Sequence, residues 1–183
     1  MAKILLGVTG GIAAYKIADL AHALVKKNHT VRVVMTENAK KFITPLTLAT
    51  LSKNPVLDDT TEWSADGTVP HIELGKWADL IVIAPATATT IAKMAYGIAD
   101  NLLTSIYLAR GRTKGVLIFP AMNTRMLEEE ITQKNITELA LRPFHRVVQP
   151  EEGLLACGDV GKGKLPSVDK MLEEIGEPLT VGD

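Results

Sequence analysis

A short apolar run, Ile4-Leu5-Leu6, breaks on glycines at Gly7, Gly10 and Gly11 and passes at once into a segment with helical spacing. A buried strand that delivers a tight turn to a helix N-terminus exposes backbone N–H groups where the helix dipole adds positive charge. That arrangement suits a phosphate. Lacking β-carbons, Gly10 and Gly11 would let such a group approach the backbone closely. The spacing is not the dinucleotide fingerprint G-x-G-x-x-G, and a tight strand-to-helix connection with no ligand has the same composition. A second cluster, Thr87, Thr89 and Thr90, places hydroxyls behind Pro85 where a helix should begin; helix capping accounts for one of them but not for all three.

Other residues could move protons or hold charge. An imidazole changes charge near neutral pH, which suits His71 to proton transfer, although a lone histidine is more often structural. His22, His29 and His145 have bland readings on a helix, in a turn and before a strand. Asn123 stands where a helix N-cap would. Cys157 is the only cysteine and lies among Gly153, Gly158, Gly161 and Gly163. A lone cysteine is usually a small buried hydrophobe, but a glycine-rich stretch is a poor place to bury one and suits a lid over a substrate. Lys162 and Lys164 could meet an anionic group or form a solvated basic loop. No metal site is read.

The elements that must position these residues alternate. Ile17, Leu20, Ala21, Leu24 and Val25 recur at helical spacing up to the turn cluster Asn28-His29-Thr30. Val31–Met35 reads as a β-branched strand, after which Thr36 resembles an N-cap of a short helix reaching toward Phe42. Pro45–Leu51 reads as a helix capped by Thr44, Asn54–Pro70 as a surface segment, and Ile72–Trp77 as a short amphipathic piece. Asp79–Ala84 and Val116–Phe119 are near-continuous apolar runs, each expected to stop at a proline, Pro85 and Pro120. Between them Ile91–Arg110 is helical with a break at Gly97 and Asp100-Asn101. A long helix is expected from Asn123 to about Leu139, then a strand at Arg146–Gln149 and a last helix from Ser167 to Ile175.

This pattern implies a single α/β domain, a Rossmann-like or flavodoxin-like doubly wound parallel sheet with helices on both faces. Ligands of such sheets sit beyond the carboxyl ends of the strands, where the loops beginning at Thr9, Thr36, Pro85 and Pro120 would gather.

Bulk properties narrow the class. The 183 residues suffice for one substantial core, and 46% hydrophobic with 22% charged residues describes a globular chain. A formal net charge of −1 and 4% aromatic residues leave no case for nucleic acid as main partner. No apolar run approaches the roughly 18 residues needed to span a bilayer. Met1-Ala2-Lys3 leads straight into the first strand and the one cysteine cannot form an internal disulfide, so a cytoplasmic location is expected.

Five motifs in register carry a resemblance. Gly10–Lys16, Pro85–Thr90, Ala99-Asp100-Asn101-Leu102-Leu103, Pro120–Met126 and Ala156-Cys157-Gly158-Asp159 together resemble the family of flavin-containing cysteine decarboxylases, in the branch that acts in coenzyme A synthesis. The match runs from about residue 3 to residue 165. The resemblance implies FMN as cofactor, held at Gly10, Gly11, Ile12, Thr36, Thr87, Thr89, Thr90 and Ala121. It implies 4′-phosphopantothenoylcysteine as substrate, bound by Met122 and Asn123, with Lys162 and Lys164 as candidates for its phosphate. His71 would be the active-site base, Asn123 the holder of the substrate carboxylate, Cys157 the proton donor, and residues 151–166 a glycine-rich clamp over the substrate.

The chemistry so implied makes sense of a flavin in a reaction with no net redox change. Direct loss of CO₂ from an acylated cysteine leaves a carbanion without an electron sink. Oxidising the thiol to a thioaldehyde supplies one. Loss of CO₂ then gives an enethiolate, and return of the hydride with one proton gives 4′-phosphopantetheine. Members of the family assemble as trimers, or trimers of higher order, with flavin at the subunit contact. Many are fused to a cysteine-ligating synthetase, so here a separate phosphopantothenate–cysteine ligase is expected. Three positions depart from the family motifs: Thr87 replaces serine, Thr89 replaces asparagine, and Leu127 replaces tryptophan. Competing readings are a flavin prenyltransferase, a non-catalytic regulator of protein phosphatases, and a flavodoxin-like electron carrier. The first would not need the Cys157 segment, the second often carries acidic tails or lacks a catalytic residue, and the third would release no CO₂.

Overall fold

The computed structural model describes residues 1–61, 67–156 and 158–178. Strand β1 (Lys3–Val8) leads through a 3₁₀ turn (Ile12–Lys16) into α1 (Ile17–Lys26). Then follow β2 (Thr30–Met35), a second 3₁₀ turn (Ala39–Lys41), α2 (Pro45–Ser52) and the short β3 (Val56–Leu57). After α3 (Pro70–Trp77) come β4 (Leu80–Ala86), α4 (Ala88–Tyr96), α5 (Leu102–Ala109) and β5 (Gly115–Pro120). The remaining described elements are α6 (Thr124–Glu128), α7 (Glu130–Ala140), β6 (His145–Val147), β7 (Glu151–Leu154), β8 (Val160–Lys164) and α8 (Val168–Gly176).

Six strands form one parallel sheet in the order β3-β2-β1-β4-β5-β6, while β7 and β8 pair antiparallel by themselves. This is the Rossmann order, with its reversal between β1 and β4. The crevice for a ligand therefore opens beyond Val8 and Ala86.

Both faces of the sheet are covered, which is why its central strands β1, β4 and β5 are near-continuous apolar runs. Ile4, Leu6, Val8, Val31 and Val33 pack with Ile17, Leu20 and Leu24 of α1 and Met171 of α8. Leu5, Ile81, Ile83, Val116 and Ile118 face the other way, against Leu74 of α3, Met94 of α4, Ile106 of α5 and Leu139 of α7. The alternation of Ile4, Leu5 and Leu6 between the two clusters is the two-residue period of a strand. Each such fully buried side chain contributes about 1.5–3 kcal/mol of transfer free energy.

Helix boundaries follow local chemistry. Thr44, Thr87 and Ser167 cap α2, α4 and α8 by accepting backbone N–H bonds, and Asn101 forms a capping box with Thr104. Gly97 ends α4 in the left-handed region with φ 72°.

Several expectations need correction. Pro85 and Pro120 do not stop their strands. They belong to β4 and β5, and Ala86 pairs with Pro120 after an irregularity that begins at Ile83, where a residue without an N–H is tolerated. Thr36 is not a side-chain cap: its hydroxyl turns back toward the Val8 carbonyl at 3.5 Å, and only its carbonyl opens the short turn, by accepting from Ala39 N. The helix expected from Asn123 to Leu139 is two, interrupted at Glu129, whose φ and ψ of −55° and 130° are not helical. The surface segment after Asn54 contains β3, which pairs with β2. The glycine-rich stretch is no open loop but the β7–β8 hairpin.

At the amino ends of β5 and β6, opposite the crevice, a polar cluster is buried. His145, 2% exposed, has Nδ1 2.8 Å from the Pro143 carbonyl and Nε2 3.0 Å from the Tyr107 hydroxyl and 2.9 Å from Arg110. Arg142 donates to the Tyr107 hydroxyl and to the Met94 and Ala95 carbonyls. Burial, with Arg110 and Arg142 beside it, pushes the His145 imidazole down to about 4. The neutral ring is the form that fits, with Nδ1 donating and Nε2 accepting. Stability from this site is thus complete above the ordinary value of 6.5 and is lost as pH falls from there toward 4. We expect the urea midpoint of the wild type to fall across this window, and that of His145→Gln to be lower but flatter.

Candidate active site

Three loops meet at the carboxyl end of the sheet. The first is Thr9–Ile12. Thr9, 1% exposed, donates its hydroxyl proton to the Pro85 carbonyl and accepts from Thr87 N at 3.1 Å, so the ends of β1 and β4 are held together. The close approach of the first loop to the second strand's loop requires Gly10, because a Cβ there would stand 2.4 Å from Asn38 Cβ. A Cβ at Gly11 would meet nothing within 4 Å, so this backbone faces open space. The turn therefore carries the open backbone cradle that an anion needs.

The second loop begins at Thr87. Its hydroxyl accepts from Thr90 N at 3.3 Å and bonds Thr90 Oγ1 at 3.2 Å. The third, Ala121–Thr124, is tied to β4 by Ala121 N donating to the Ala86 carbonyl at 3.1 Å. Asn123 Oδ1 accepts from Arg125 N at 2.9 Å and Met126 N at 3.3 Å. The cap thus occupies Oδ1 of Asn123.

Two adjoining cavities share Gly10, Thr87, Ala88 and Met126. The larger, about 620 Å³, is a mainly apolar groove that brings together Gly11, Ile12, Ala121, Met122, Asn123 and Lys164. The hairpin supplies its outer wall through Leu154, Leu155 and Ala156. The smaller, about 400 Å³, is polar and gathers Thr36, Thr89 and Thr90 with Asn38, Lys93 and Asn101. Its carboxylates are engaged: Asp100 pairs with Lys93 Nζ at 2.7 Å and Asp59 accepts from Leu102 N at 2.6 Å.

Of the residues singled out in the sequence, Gly10, Gly11, Ile12, Thr36, Thr87, Thr89, Thr90, Ala121, Met122, Asn123 and Lys164 line one cavity or the other. Two residues stand elsewhere. His71, in the first turn of α3 and partly exposed, lines neither cavity. Lys162 is exposed and offers its backbone carbonyl to Thr124 instead. Cys157 lies outside the described residues. Of the motif departures, Leu127 is buried in the core against α7, whereas Thr89 is on the polar cavity wall.

Lys16 was missed. Its Nζ donates to the Leu165 carbonyl at 3.1 Å at the end of the groove, and burial together with Lys164 lowers its pKa below that of an ordinary lysine. A signal existed: a cation at the start of a helix opposes the dipole, which marks Lys16 as placed for something other than helix stability.

A turn with open backbone, a hydroxyl-rich pocket and an apolar groove at the switch point of a Rossmann sheet make a small-molecule site of the kind such sheets carry. The chain belongs to the flavoprotein family, whose model matches residues 1–180, and within it to the phosphopantothenoylcysteine decarboxylase branch. It is 48% identical to a probable phosphopantothenoylcysteine decarboxylase of Streptococcus mutans, over 97% of this chain and 98% of that one. It is also 48% identical to the coenzyme A biosynthesis bifunctional protein CoaBC of Escherichia coli, of which it spans 41%.

Solved structures agree. A PPC decarboxylase mutant complexed with pantothenoylaminoethenethiol matches with a TM-score of 0.87 and 32% identity, over 95% of this chain and 96% of that one. The FMN binding protein AtHal3 matches at 0.85 and 34%, over 95% and 94%. Among the described residues no helix is long and apolar enough to cross a membrane.

Proposed function

We propose that this enzyme decarboxylates 4′-phosphopantothenoylcysteine to 4′-phosphopantetheine with FMN as cofactor, in the cytoplasm. The observation that carries the reading is one groove uniting the glycine turn, Ala121–Asn123 and the hairpin, in a chain so similar to a probable decarboxylase of that substrate.

The residues present fit the flavin. Gly10, Gly11 and Ile12 would receive its phosphate, Thr36, Thr87, Thr89 and Thr90 its polar chain, and Ala121 with the apolar groove its ring. Held by these residues, a flavin would supply reversible two-electron redox chemistry at the carbon bearing the substrate thiol. The protein does the rest. Asn123 and Met122 hold the substrate so that its carboxylate leaves from a fixed position. His71 accepts and holds the proton that the oxidation releases. Cys157 delivers a proton to the enethiolate, and the hairpin excludes water while it does so. That the PPC decarboxylase solved with pantothenoylaminoethenethiol is a cysteine-to-serine mutant supports the role given to Cys157.

His71, on α3, lines neither cavity; the same proposal has a second copy of this chain bring it to the groove, in a homo-oligomer with sites at its contacts, a trimer or trimers of higher order.

The deciding experiment is mass spectrometry of 4′-phosphopantothenoylcysteine after incubation with the FMN-loaded protein. Loss of CO₂ alone is expected. An unchanged substrate, with the protein folded and yellow, would overturn the reading.

Lys16 and Lys164 give the site a preference. Both side chains line the groove and feel one another's charge, and the substrate phosphate would meet charge-assisted hydrogen bonds from them. Lys16→Met should raise KM for the phosphorylated substrate about tenfold while changing that for its dephosphorylated analogue little. Equal effects on both would remove Lys16 from phosphate recognition.

A further inference from the structure

We infer that Thr124 is a positioning residue: its hydroxyl fixes the β7–β8 hairpin to the loop that carries Asn123. The inference rests on the reading that Asn123 and the hairpin act on one substrate.

Thr124 Oγ1 donates to the Lys162 carbonyl at 2.8 Å. On the other side of Asn123, the Met122 amide donates to the Gly163 carbonyl at 3.1 Å. Asn123 is thus held between two bonds to the same strand. A side chain on the strand would forbid this approach. A Cβ on Gly161 would stand 2.5 Å from Thr124 Oγ1, and one on Gly163 would stand 2.1 Å from the Met122 carbonyl oxygen. Gly163 also has φ 136°, a region other residues avoid.

The geometry separates root from tip. β8 is fastened at its root to the Asn123 loop, while Leu154, Leu155 and Ala156 near the turn of the hairpin form the outer wall of the groove. Thr124 itself lines neither cavity and stands behind Asn123. Its hydroxyl acts through the strand, setting the distance between Asn123 and the opposite wall. Losing one of two such bonds loosens the hairpin without unfolding the sheet, because β7 and β8 are not part of the main sheet.

The test compares Thr124→Val, which keeps shape and loses the donor, with Thr124→Ser, which keeps the donor. In the FMN-loaded full chain, Thr124→Val should speed amide hydrogen exchange at 160–164. It should lower kcat for 4′-phosphopantothenoylcysteine about tenfold, with KM within about twofold and flavin content unchanged. Thr124→Ser should restore both. A second route to the same loosening is Gly161→Ala, which presses a methyl on the Thr124 hydroxyl and should raise exchange at the same amides.

Wild-type exchange and kcat in Thr124→Val would overturn the inference. So would equal loss in the valine and serine variants, which would make the role one of shape alone. Because hydrogen exchange is read without substrate, a tether that loosens as expected in a protein that never releases CO₂ upholds the hairpin anchor and sinks the decarboxylase reading instead.

Discussion

Co-expression of His71→Asn and Asn123→Asp chains should restore activity that neither variant has alone. Asp caps a helix as well as Asn does, so Asn123→Asp keeps the bonds to Arg125 N and Met126 N and leaves α6 intact. What it changes is the group facing the substrate: a donor becomes an anion opposite the departing carboxylate. Loss of a positioned donor in an active site typically costs 10²–10³ in kcat, and like-charge repulsion adds to that, so we expect a fall of about 100-fold or more. His71→Asn removes the proton acceptor and should be comparably impaired, with flavin content unchanged in both.

The mixture is informative because His71 lies on α3, away from the groove that contains Asn123. If one copy supplies His71 and its neighbour Asn123, random assembly leaves about a quarter of sites with both wild-type groups, and about a quarter of the wild-type rate should return. If both groups came from the same chain, every site would be defective and no rate would return. The measurement is the initial rate of CO₂ release from co-purified mixed oligomers, with each variant alone as baseline.

Cys157→Ser should change the product rather than abolish the reaction. Oxidation of the thiol and loss of CO₂ need no acid from this position, so the substrate would still lose CO₂. Without an effective proton donor the last step fails, and the released molecule lacks CO₂ and two further hydrogens relative to substrate. Its two electrons then remain with the enzyme until dissolved dioxygen takes them, so turnover without oxygen should stop after one equivalent. Mass spectrometry of the product and the bleached flavin spectrum under nitrogen both report this. A variant that still yields the saturated thiol at the wild-type rate would remove Cys157 from the chemistry.

Most of the scaffold is legible in the sequence because its signals are local. Buried runs such as Ile81–Ile83 and Val116–Phe119, caps such as Thr44, Thr87 and Ser167, and the break at Gly97 each depend on a few neighbouring residues. The errors have one common cause, which is tertiary pairing. Pro85 and Pro120 end strands by propensity, yet the pairing of Ala86 with Pro120 takes β4 one residue past Pro85 and includes Pro120 in β5. The residues 151–164 read as loop because four glycines outweigh strand propensity. The structure needs two of them, Gly161 and Gly163, for close approach to Thr124 and Met122. That the turn and hydroxyl residues gather around the cavities was legible from type and order. Lys16 was not, since only the fold brings it to the Leu165 carbonyl and to Lys164, and the position of His71 off the groove cannot be read from spacing at all.

The hairpin's separation from the main sheet also makes it modular. Residues 151–156 and 158–164 contribute the outer wall of the groove but no strand to the main sheet, so this segment could be exchanged for one of different tip composition while the Gly10-Gly11 turn stays as it is. Selectivity for the acyl portion of the substrate could then be bred by varying Leu154 and Leu155, provided that any transplanted sequence keeps glycine at 161 and 163 and meets the threonine at 124.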